Sequence, residues 1–368
     1  MSDSVRIPAE KRDHIAVDSL NLIPTGALNR IELLSDWLHA SRPGLAKDLE
    51  PASSDASFRR YFRVRDEQSG SLIVMDAPPD RENCEPFIRI AQIFGDAGVN
   101  VPKVLDQDAA LGFLLLSDMG TTTYLEELLR QQSHADGGAR IDILYRDAID
   151  ALLVIQRASR MGVLPEYDRS LLEKELRLFP DWYLQLQLRA TLTKTQSQAM
   201  ESTFQALLAN NLAQARVFVH RDYHSRNLMV CDPNPGILDF QDAVYGPITY
   251  DLVSLLRDAY IEWEEERVID WCVRYWELAR KSGLPVPADF ADFYRDFEWM
   301  GVQRQIKVVG IFARLAFRDG KTTYLRDQAL VLKYLHATCR RYRDLAGFAK
   351  LLDELDAQDP GFEPVMKN

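Results

Sequence analysis

Cysteine is scarce in this chain, and its copies are scattered. The four residues, none of them in a CxxC pair, are Cys84, Cys231, Cys272 and Cys339. This spacing excludes a disulfide framework and a zinc knuckle, and it is typical of a reducing cytoplasm. The chain also lacks an apolar run of about 18 residues, and residues 1–16 have no apolar core of signal-peptide length. We therefore expect a cytoplasmic protein without a membrane partner.

An excess of basic residues is also missing. The 368 residues include 44 Lys and Arg against 55 Asp and Glu, which gives a formal net charge of −11. Nucleic-acid binding draws most of its affinity from basic side chains on phosphates, so we expect no nucleic-acid partner. With 46% hydrophobic residues the chain can bury a sizeable core, and its length suits two or three units of about 150 residues.

The predicted secondary structure changes once, near residue 120, from mainly strands to mainly helices. Residues 1–26 carry charge and little periodicity, which predicts a loosely ordered leader. Residues 27–117 predict a small strand-rich lobe, and residues 121–368 a larger, mostly helical one, joined at about 114–120. The elements predicted in the small lobe are a helix from about 29, strands near 57–64, 71–75 and 112–116, and a helix near 85–98.

The strongest chemical signal is the octapeptide HRDYHSRN at residues 220–227. It matches H-R-D-x-x-x-x-N, the catalytic loop of protein-kinase-like enzymes. Apolar residues precede and follow it, so we expect a loop between two short strands. In such loops His220 and Arg221 support the backbone, and a histidine that follows an apolar strand is also well explained as a hydrogen-bonded core residue.

A further acid, Asp239, follows Asn227 by twelve residues. Phosphoryl transfer needs a carboxylate that orients and deprotonates the acceptor hydroxyl, and oxygen ligands for the Mg²⁺ that bridges the phosphates. Asp222 suits the first role, while Asn227 and Asp239 suit the second, because Mg²⁺ prefers carboxylate and amide oxygens. Each residue alone is typical of a turn or cap. Together they predict a phosphotransferase that uses ATP and Mg²⁺.

The segment DFQDAVYGPITYDL, residues 239–252, resembles the second signature of the aminoglycoside phosphotransferase family. That family has a Gly-Asp-Pro-like turn here, whereas this chain has Gly246-Pro247 without the intervening acid. The resemblance covers about residues 30–345 and implies an α+β, two-lobed, protein-kinase-like fold. It also implies that Asp251 braces the catalytic loop, although a plain N-terminal helix cap explains that residue equally well.

Several segments together look like one bacterial branch of this family, the anomeric kinases of cell-wall recycling. They are residues 57–62, 75–79, 114–118 and the two signatures. The resemblance implies ATP-dependent phosphorylation of the C1 hydroxyl of N-acetylmuramate and N-acetylglucosamine, with a small amino sugar as the partner. One alternative is an aminoglycoside- or choline-type kinase of the same family. Another is a nucleotide-binding pseudokinase without turnover.

The resemblance also places the nucleotide. Leu116 and Asp118 fall in the segment that corresponds to the hinge between the lobes, where backbone groups take the adenine edge. Met75 would line a face of the adenine. A plain buried strand is compatible with the same residues.

Two elements that bind phosphate in kinases are altered. Residues 53–57, where a Gly-rich loop is expected, contain no glycine, and residues 71–76 contain no lysine. Arg59, Arg60 and Arg63 on the preceding strand are the nearest cations in sequence, and any of them could replace that lysine, because arginine can bind phosphate bidentately. Arg60 is the one that we assign to cofactor binding. Strand alternation puts Arg60 on one face and Arg59 and Arg63 on the other. An arginine on an edge strand is also often simply solvated.

The acceptor site is the part that the sequence describes least. The candidate substrate-binding residues are His224, Gln241 and Arg304. Arg304 belongs to a cation-bearing stretch, residues 303–307, that suits a carboxylate such as that of muramate. The plainer interpretation of this stretch is a solvated helix face.

Overall fold

The N-terminal lobe is built on a five-stranded antiparallel sheet in the order β1-β2-β3-β5-β4. The structure is a computed structural model that describes residues 25–45, 48–53, 58–66, 70–134 and 136–357. In chain order the elements of this lobe are α1 (Thr25–Ser41), β1 (Glu50–Ser53), β2 (Arg60–Asp66), β3 (Gly70–Asp76), α2 (Glu85–Asp96), β4 (Val104–Asp108) and β5 (Phe113–Ser117).

Both faces of this sheet are covered. On one face, Phe62 and Leu115 pack with Leu34 of α1 in a small, separate core. On the other face, Met75 and Leu116 join the main core, which extends through the second lobe. Because successive side chains of a strand point to opposite faces, the parity of a residue decides which of the two cores it meets.

Helix α2 links the sheet to the second lobe. Pro86 lies in its first turn, where a missing N–H leaves no helical hydrogen bond unmade. Phe87 and Phe94 of α2 contact Phe240, with ring centroids 4.8 and 6.1 Å apart. Phe240 directly follows Asp239, so α2 packs against the segment that carries a predicted metal ligand.

The second lobe is mostly helical. Its elements are α3 (Tyr124–Gln132), α4 (Gly138–Arg157), α5 (Arg169–Leu178), α6 (Lys194–Ala213), β6 (Arg216–Val219), β7 (Leu228–Met229), β8 (Gly236–Ile237), β9 (Val244–Pro247), α7 (Tyr250–Leu256), α8 (Glu265–Lys281), α9 (Phe290–Phe317), α10 (Tyr324–Arg341) and α11 (Ala346–Asp356). A π-helical stretch, Phe179–Gln187, continues α5. β6 pairs with β9, and β7 pairs with β8, antiparallel in both cases.

Helix α9 runs through the centre of this lobe against α5, α6, α7 and α10. It has 28 residues, and every residue from 297 to 310 is buried. At Gly310 a side chain is sterically excluded, because a Cβ there would lie 2.4 Å from the carbonyl carbon of Leu178. The polar stretch 303–307 lies within this buried part. The interpretation of that stretch as a solvated helix face is therefore wrong.

Three described strands, β1, β4 and β9, were not expected from the sequence. β1 and β4 are the two edges of the five-stranded sheet. β1 contains Pro51 and pairs only with β2, while β4 is polar at Asp106 and pairs only with β5. Of the predicted leader, residues 1–24 lie outside the described residues, and α1 already begins at Thr25. None of the helices in the described ranges combines the length and apolar content that crossing a bilayer requires.

Candidate active site

His220 supports the start of the catalytic loop, residues 220–227, which joins β6 to β7. Its ring is buried, with Nε2 2.9 Å from the Leu238 carbonyl oxygen and Nδ1 3.3 Å from the backbone nitrogen of Asp222. Burial lowers the pKa of His220 to about 4, so the ring is neutral near pH 7. A neutral ring that is protonated on Nε2 donates to Leu238 and accepts from Asp222 at the same time.

Asp251 braces the same loop from the first turn of α7. Its buried carboxylate accepts the backbone N–H of His220 at 2.6 Å and that of Arg221 at 2.9 Å. Burial raises the pKa of Asp251 to about 7, although these hydrogen bonds oppose the shift. Arg221 has a φ of 79°, a conformation that costs a non-glycine residue about 1–3 kcal/mol. Both of these hydrogen bonds come from the loop, so the carboxylate holds that conformation and braces the loop.

Asp222, Asn227 and Asp239 are brought together by this loop. The side-chain Nδ2 of Asn227 donates to the Asp222 carbonyl oxygen at 2.9 Å and lies 3.3 Å from Oδ2 of Asp239. Gln241 donates through Nε2 to Oδ1 of Asp239 at 2.7 Å. Asp239 has a φ of 63°, in the left-handed region that aspartate tolerates better than most residues. The structure therefore unites the three residues whose spacing carries the sequence prediction.

Positive charge surrounds the Asp222 carboxylate. Burial alone would raise its pKa, but Lys307, His224, Arg221 and Arg304 together outweigh burial and hold the pKa of Asp222 below its usual value. The carboxylate is therefore ionised at neutral pH, and it can act only as a hydrogen-bond acceptor.

Asn227 and Asp239 fit a magnesium ion that is shared with phosphate. The amide nitrogen of Asn227 is used within the protein, and its Oδ1 accepts no hydrogen bond from a described residue. Within the described ranges, no group of three or more His, Cys, Asp or Glu side chains could hold a metal ion. Mg²⁺ usually binds one or two carboxylates together with substrate phosphates, so one carboxylate and one amide are sufficient.

Met75 and Leu116 are buried on the sheet face that meets the second lobe. Asp118 follows β5, and its carboxylate accepts hydrogen bonds from Nε of Arg63 at 2.6 Å and from the hydroxyl of Ser71 at 2.5 Å. The Asp118 side chain thus ties this segment to β2 and β3. Any contact of Asp118 with adenine would come from its backbone.

The structure contradicts the assignment of Arg60 to phosphate. Arg60 donates through Nε to Asp76 at 3.0 Å, and Arg30 of α1 donates to the same carboxylate at 3.0 Å. The Arg60 guanidinium also lies 5.8 Å from the ring centre of Phe62, which belongs to the core beneath α1. Arg60 therefore faces away from the catalytic loop, on the sheet face that α1 covers.

Arg59 lies on the other side of the strand. It shares the parity of Tyr61, whose ring packs against the main core. Its guanidinium pairs with Glu82 at 3.0 Å, and the two side chains are only 10% and 15% exposed. Glu82 precedes α2, whose Phe87 contacts the ring next to Asp239. The pair therefore lies near the end of α2 that adjoins the segment carrying Asp239.

The three predicted substrate-binding residues lie close to Asp222 and Asp239. His224 packs edge-on against Tyr260 with ring centroids 5.5 Å apart, and Gln241 binds Asp239. Nδ1 of His224 and Oε1 of Gln241 are buried and have no hydrogen-bond partner among the described residues. Burial lowers the pKa of His224, and the charge of Arg304 on α9 adds to that shift. The same charge acts with that of Lys307 to lower the pKa of Asp222.

A buried cluster around Glu175 is missing from the sequence prediction. Glu175 accepts from Nη2 of Arg221 at 2.6 Å and lies 3.2 Å from Nζ of Lys307, which also donates to the Tyr250 hydroxyl at 2.8 Å. The cluster connects α5, α9 and α7 to the residue before Asp222. Its one signal in the sequence is the position of Glu175 beside Leu176 on the apolar side of α5.

A model of the phosphotransferase enzyme family matches residues 48–290. The chain is 50% identical over 322 residues to the N-acetylmuramate/N-acetylglucosamine kinase of Neisseria meningitidis serogroup B, covering 88% of this chain and 95% of that protein. It is 46% identical over 338 residues to the protein of the same name from Pseudomonas aeruginosa, covering 89% of this chain and 97% of that protein.

A similar architecture occurs among solved structures. The ADP-bound aminoglycoside phosphotransferase APH(2'')-Ib superposes with a TM-score of 0.52 at 14% sequence identity, covering 82% of this chain and 97% of that one. The predicted α+β, two-lobed, protein-kinase-like fold is thereby confirmed.

Proposed function

Because the chain belongs to the phosphotransferase enzyme family, we propose that it transfers the γ-phosphate of ATP to the C1 hydroxyl of N-acetylmuramate and N-acetylglucosamine. The observation that carries this proposal is the convergence of Asp222, Asn227 and Asp239. The chain is a sugar kinase, and its product would feed the recycling of cell-wall sugars toward UDP-sugar synthesis.

Asp222 acts on the acceptor. Its ionised carboxylate accepts a hydrogen bond from the sugar hydroxyl and aligns that oxygen with the γ-phosphorus. As the new O–P bond forms, the bond from the γ-phosphorus to the β–γ bridging oxygen breaks, the hydroxyl proton passes to Asp222, and ADP leaves. Because the pKa of Asp222 is lowered, early removal of the proton is unfavourable, and the proton moves as O–P bonding develops.

Asn227 and Asp239 would hold the Mg²⁺ that arrives with ATP. Bound there, the ion offsets negative charge on the β- and γ-phosphates. The hydrogen bond from Gln241 fixes the orientation of the Asp239 carboxylate. Oδ1 of Asn227 would supply the second protein oxygen.

Arg59, held by Glu82, is our replacement for the missing strand lysine. The lysine of protein kinases is itself paired with a glutamate of a neighbouring helix, and it contacts the phosphates from that position. The largely buried ion pair of Arg59 with Glu82 reproduces this arrangement from the residue before β2. A guanidinium held there can bind a phosphate through two parallel hydrogen bonds.

Replacing Arg59 with glutamine should raise KM for ATP by about 10- to 100-fold, the usual effect of losing one charge-assisted contact to phosphate. The matched control is Arg60→Gln, which removes the neighbouring arginine from the α1 face and should change KM for ATP less than threefold. Steady-state kinetics at saturating sugar measure both values, and thermal unfolding checks that both variants are folded. A larger rise for Arg60→Gln than for Arg59→Gln would reverse the assignment.

The charge around the acceptor position disfavours the rival kinases. Choline and aminoglycosides are cationic, whereas Lys307 and Arg304 place positive charge near Asp222. The joint presence of Asp222, Asn227 and Asp239 likewise opposes a pseudokinase, because binding without turnover does not require all three. We place the activity in the cytoplasm, where ATP is available, and the four free cysteines suit that compartment.

The proposal is tested by ³¹P NMR of the purified protein with ATP, Mg²⁺ and either sugar. We expect a new phosphorus signal coupled to the anomeric proton. Coupling to another sugar proton would retain the kinase and refute the C1 assignment. No sugar phosphate with either acceptor, while ATP still binds, would refute the proposed substrates.

A further inference from the structure

A buried arginine without a partner faces the acceptor side of the site. Arg304 is only 5% exposed, and its side chain forms neither an ion pair nor a hydrogen bond with any described residue. None of its nitrogens is sealed from solvent, so the small exposed fraction of the side chain includes the charged end. A guanidinium that is largely removed from water and has no partner is still penalised. A bound group with negative charge would remove this penalty.

The geometry of α9 directs Arg304 toward Asp222. Side chains three and eight positions further along a helix project on either side of the starting residue, about 60° one way and 80° the other. Lys307 contacts the Glu175 cluster, which binds Arg221 just before Asp222. Phe312 packs on Tyr260, which in turn packs on His224, just after Asp222. Arg304 therefore projects between the contacts that reach Arg221 and His224, which lie on either side of Asp222 in the loop.

Asp222 is the acid that the proposed mechanism reserves for the acceptor hydroxyl, and no ion pair joins it to Arg304. The other acids nearby are already engaged. Glu175 is shared by Arg221 and Lys307 at 2.6 and 3.2 Å. The carboxylate of Asp258 accepts the backbone N–H groups of Ser225 and Tyr260, at 2.9 and 3.1 Å. Asp251 is held in the same way by the catalytic loop. None of these carboxylates forms an ion pair with Arg304.

We propose that Arg304 binds a carboxylate of the acceptor and thereby sets the preference for N-acetylmuramate over N-acetylglucosamine. This inference rests on the proposed function. The lactyl carboxylate is the group that N-acetylmuramate carries and N-acetylglucosamine lacks. A planar guanidinium can bind it through two parallel hydrogen bonds. N-acetylglucosamine, which is neutral, leaves Arg304 unpaired. The enzyme therefore phosphorylates N-acetylglucosamine with a lower kcat/KM.

The first test changes the substrate and leaves the protein intact. The carboxamide of N-acetylmuramate keeps the size of the lactyl group and removes its charge. We expect kcat/KM for the carboxamide to fall about 100-fold below that for N-acetylmuramate, the scale of one buried charge-assisted contact. Equal kcat/KM for acid and carboxamide would overturn the proposal, whatever the stability of any variant.

The second test changes the arginine. Arg304→Gln should lower the ratio of kcat/KM for N-acetylmuramate to kcat/KM for N-acetylglucosamine about 100-fold. The ratio of the acid to the carboxamide should fall by the same factor. Arg304→Lys should restore part of the difference, because lysine keeps the charge but not the two-pronged geometry. The matched control is Arg314→Gln, which removes a cation about 15 Å further along the same helix and should leave the sugar ratio unchanged.

The outcomes separate this inference from the proposed function. A similar loss for both sugars in Arg304→Gln would show that Arg304 serves the reaction only through Asp222 or through stability, and would overturn the proposal. If the unmodified enzyme phosphorylates neither sugar, the proposed function fails. Calorimetric binding of the acid and the carboxamide then decides: an Arg304-dependent preference for the acid supports the inference, and none refutes it.

Discussion

Replacing Asp222 with asparagine should lower kcat by about three to four orders of magnitude, the upper range for loss of a general base. Asparagine keeps the size of the side chain but cannot take the hydroxyl proton. The affinity for ATP should change little, because the proposed mechanism assigns Asp222 to the acceptor and the loop is held separately by Asp251. Phosphoryl-transfer kinetics and calorimetric ATP binding measure the two effects.

The control for this variant is Asp242→Asn. Asp242 lies close to the site in sequence but is exposed, so its loss should change kcat less than threefold. Near-normal turnover by Asp222→Asn would remove Asp222 from the reaction. A parallel loss of ATP binding would instead assign Asp222 to nucleotide binding.

Replacing Asp239 with asparagine should weaken ATP binding in the presence of Mg²⁺ at least about 100-fold, because the carboxylate proposed to hold the ion is lost. Asparagine is chosen because it tolerates the φ of 63° at this position, so the effect reports on charge and not on backbone strain. In EDTA, the variant should no longer bind ATP more weakly than the parent. Metal-free ATP should bind the variant at least as well as it binds the parent, because a carboxylate that repels phosphate is gone.

Calorimetry with Mg²⁺ and with EDTA measures both halves of that expectation. The Asp242→Asn protein, treated identically, should keep the full enhancement of ATP binding by Mg²⁺. If Asp239→Asn also keeps that enhancement, then Asp239 does not hold the ion and Asn227 loses its proposed partner.

The catalytic loop was predictable because its members are close in sequence. Asp222, Asn227 and Asp239 lie within eighteen consecutive residues, and short strands fix their relative positions. Glu175 and Lys307 reach the same place from α5 and α9, so no local spacing could reveal them. Arg60 shows a different limit. Alternation correctly separated Arg60 from Arg59, but which face α1 covers depends on tertiary packing.

The fold shows a similar division. Central strands β3 and β5 are apolar runs and were predicted, whereas edge strands β1 and β4 were not. An edge strand pairs on one side only and accommodates proline or polar residues, so its sequence resembles that of a loop. The assignment of 114–120 as a hinge stays a prediction, as do the roles proposed for the site residues.

The close packing of α9 has a consequence for how the acceptor associates. The helix meets the backbone of Leu178 at Gly310 and is buried throughout residues 297–310, so the position from which Arg304 projects is fixed before any ligand arrives. Ordering a flexible long side chain on binding costs about 0.5–1.5 kcal/mol of conformational entropy. In this protein folding has already fixed the backbone of Arg304 and enclosed most of its side chain, so binding has only the end of that side chain left to order.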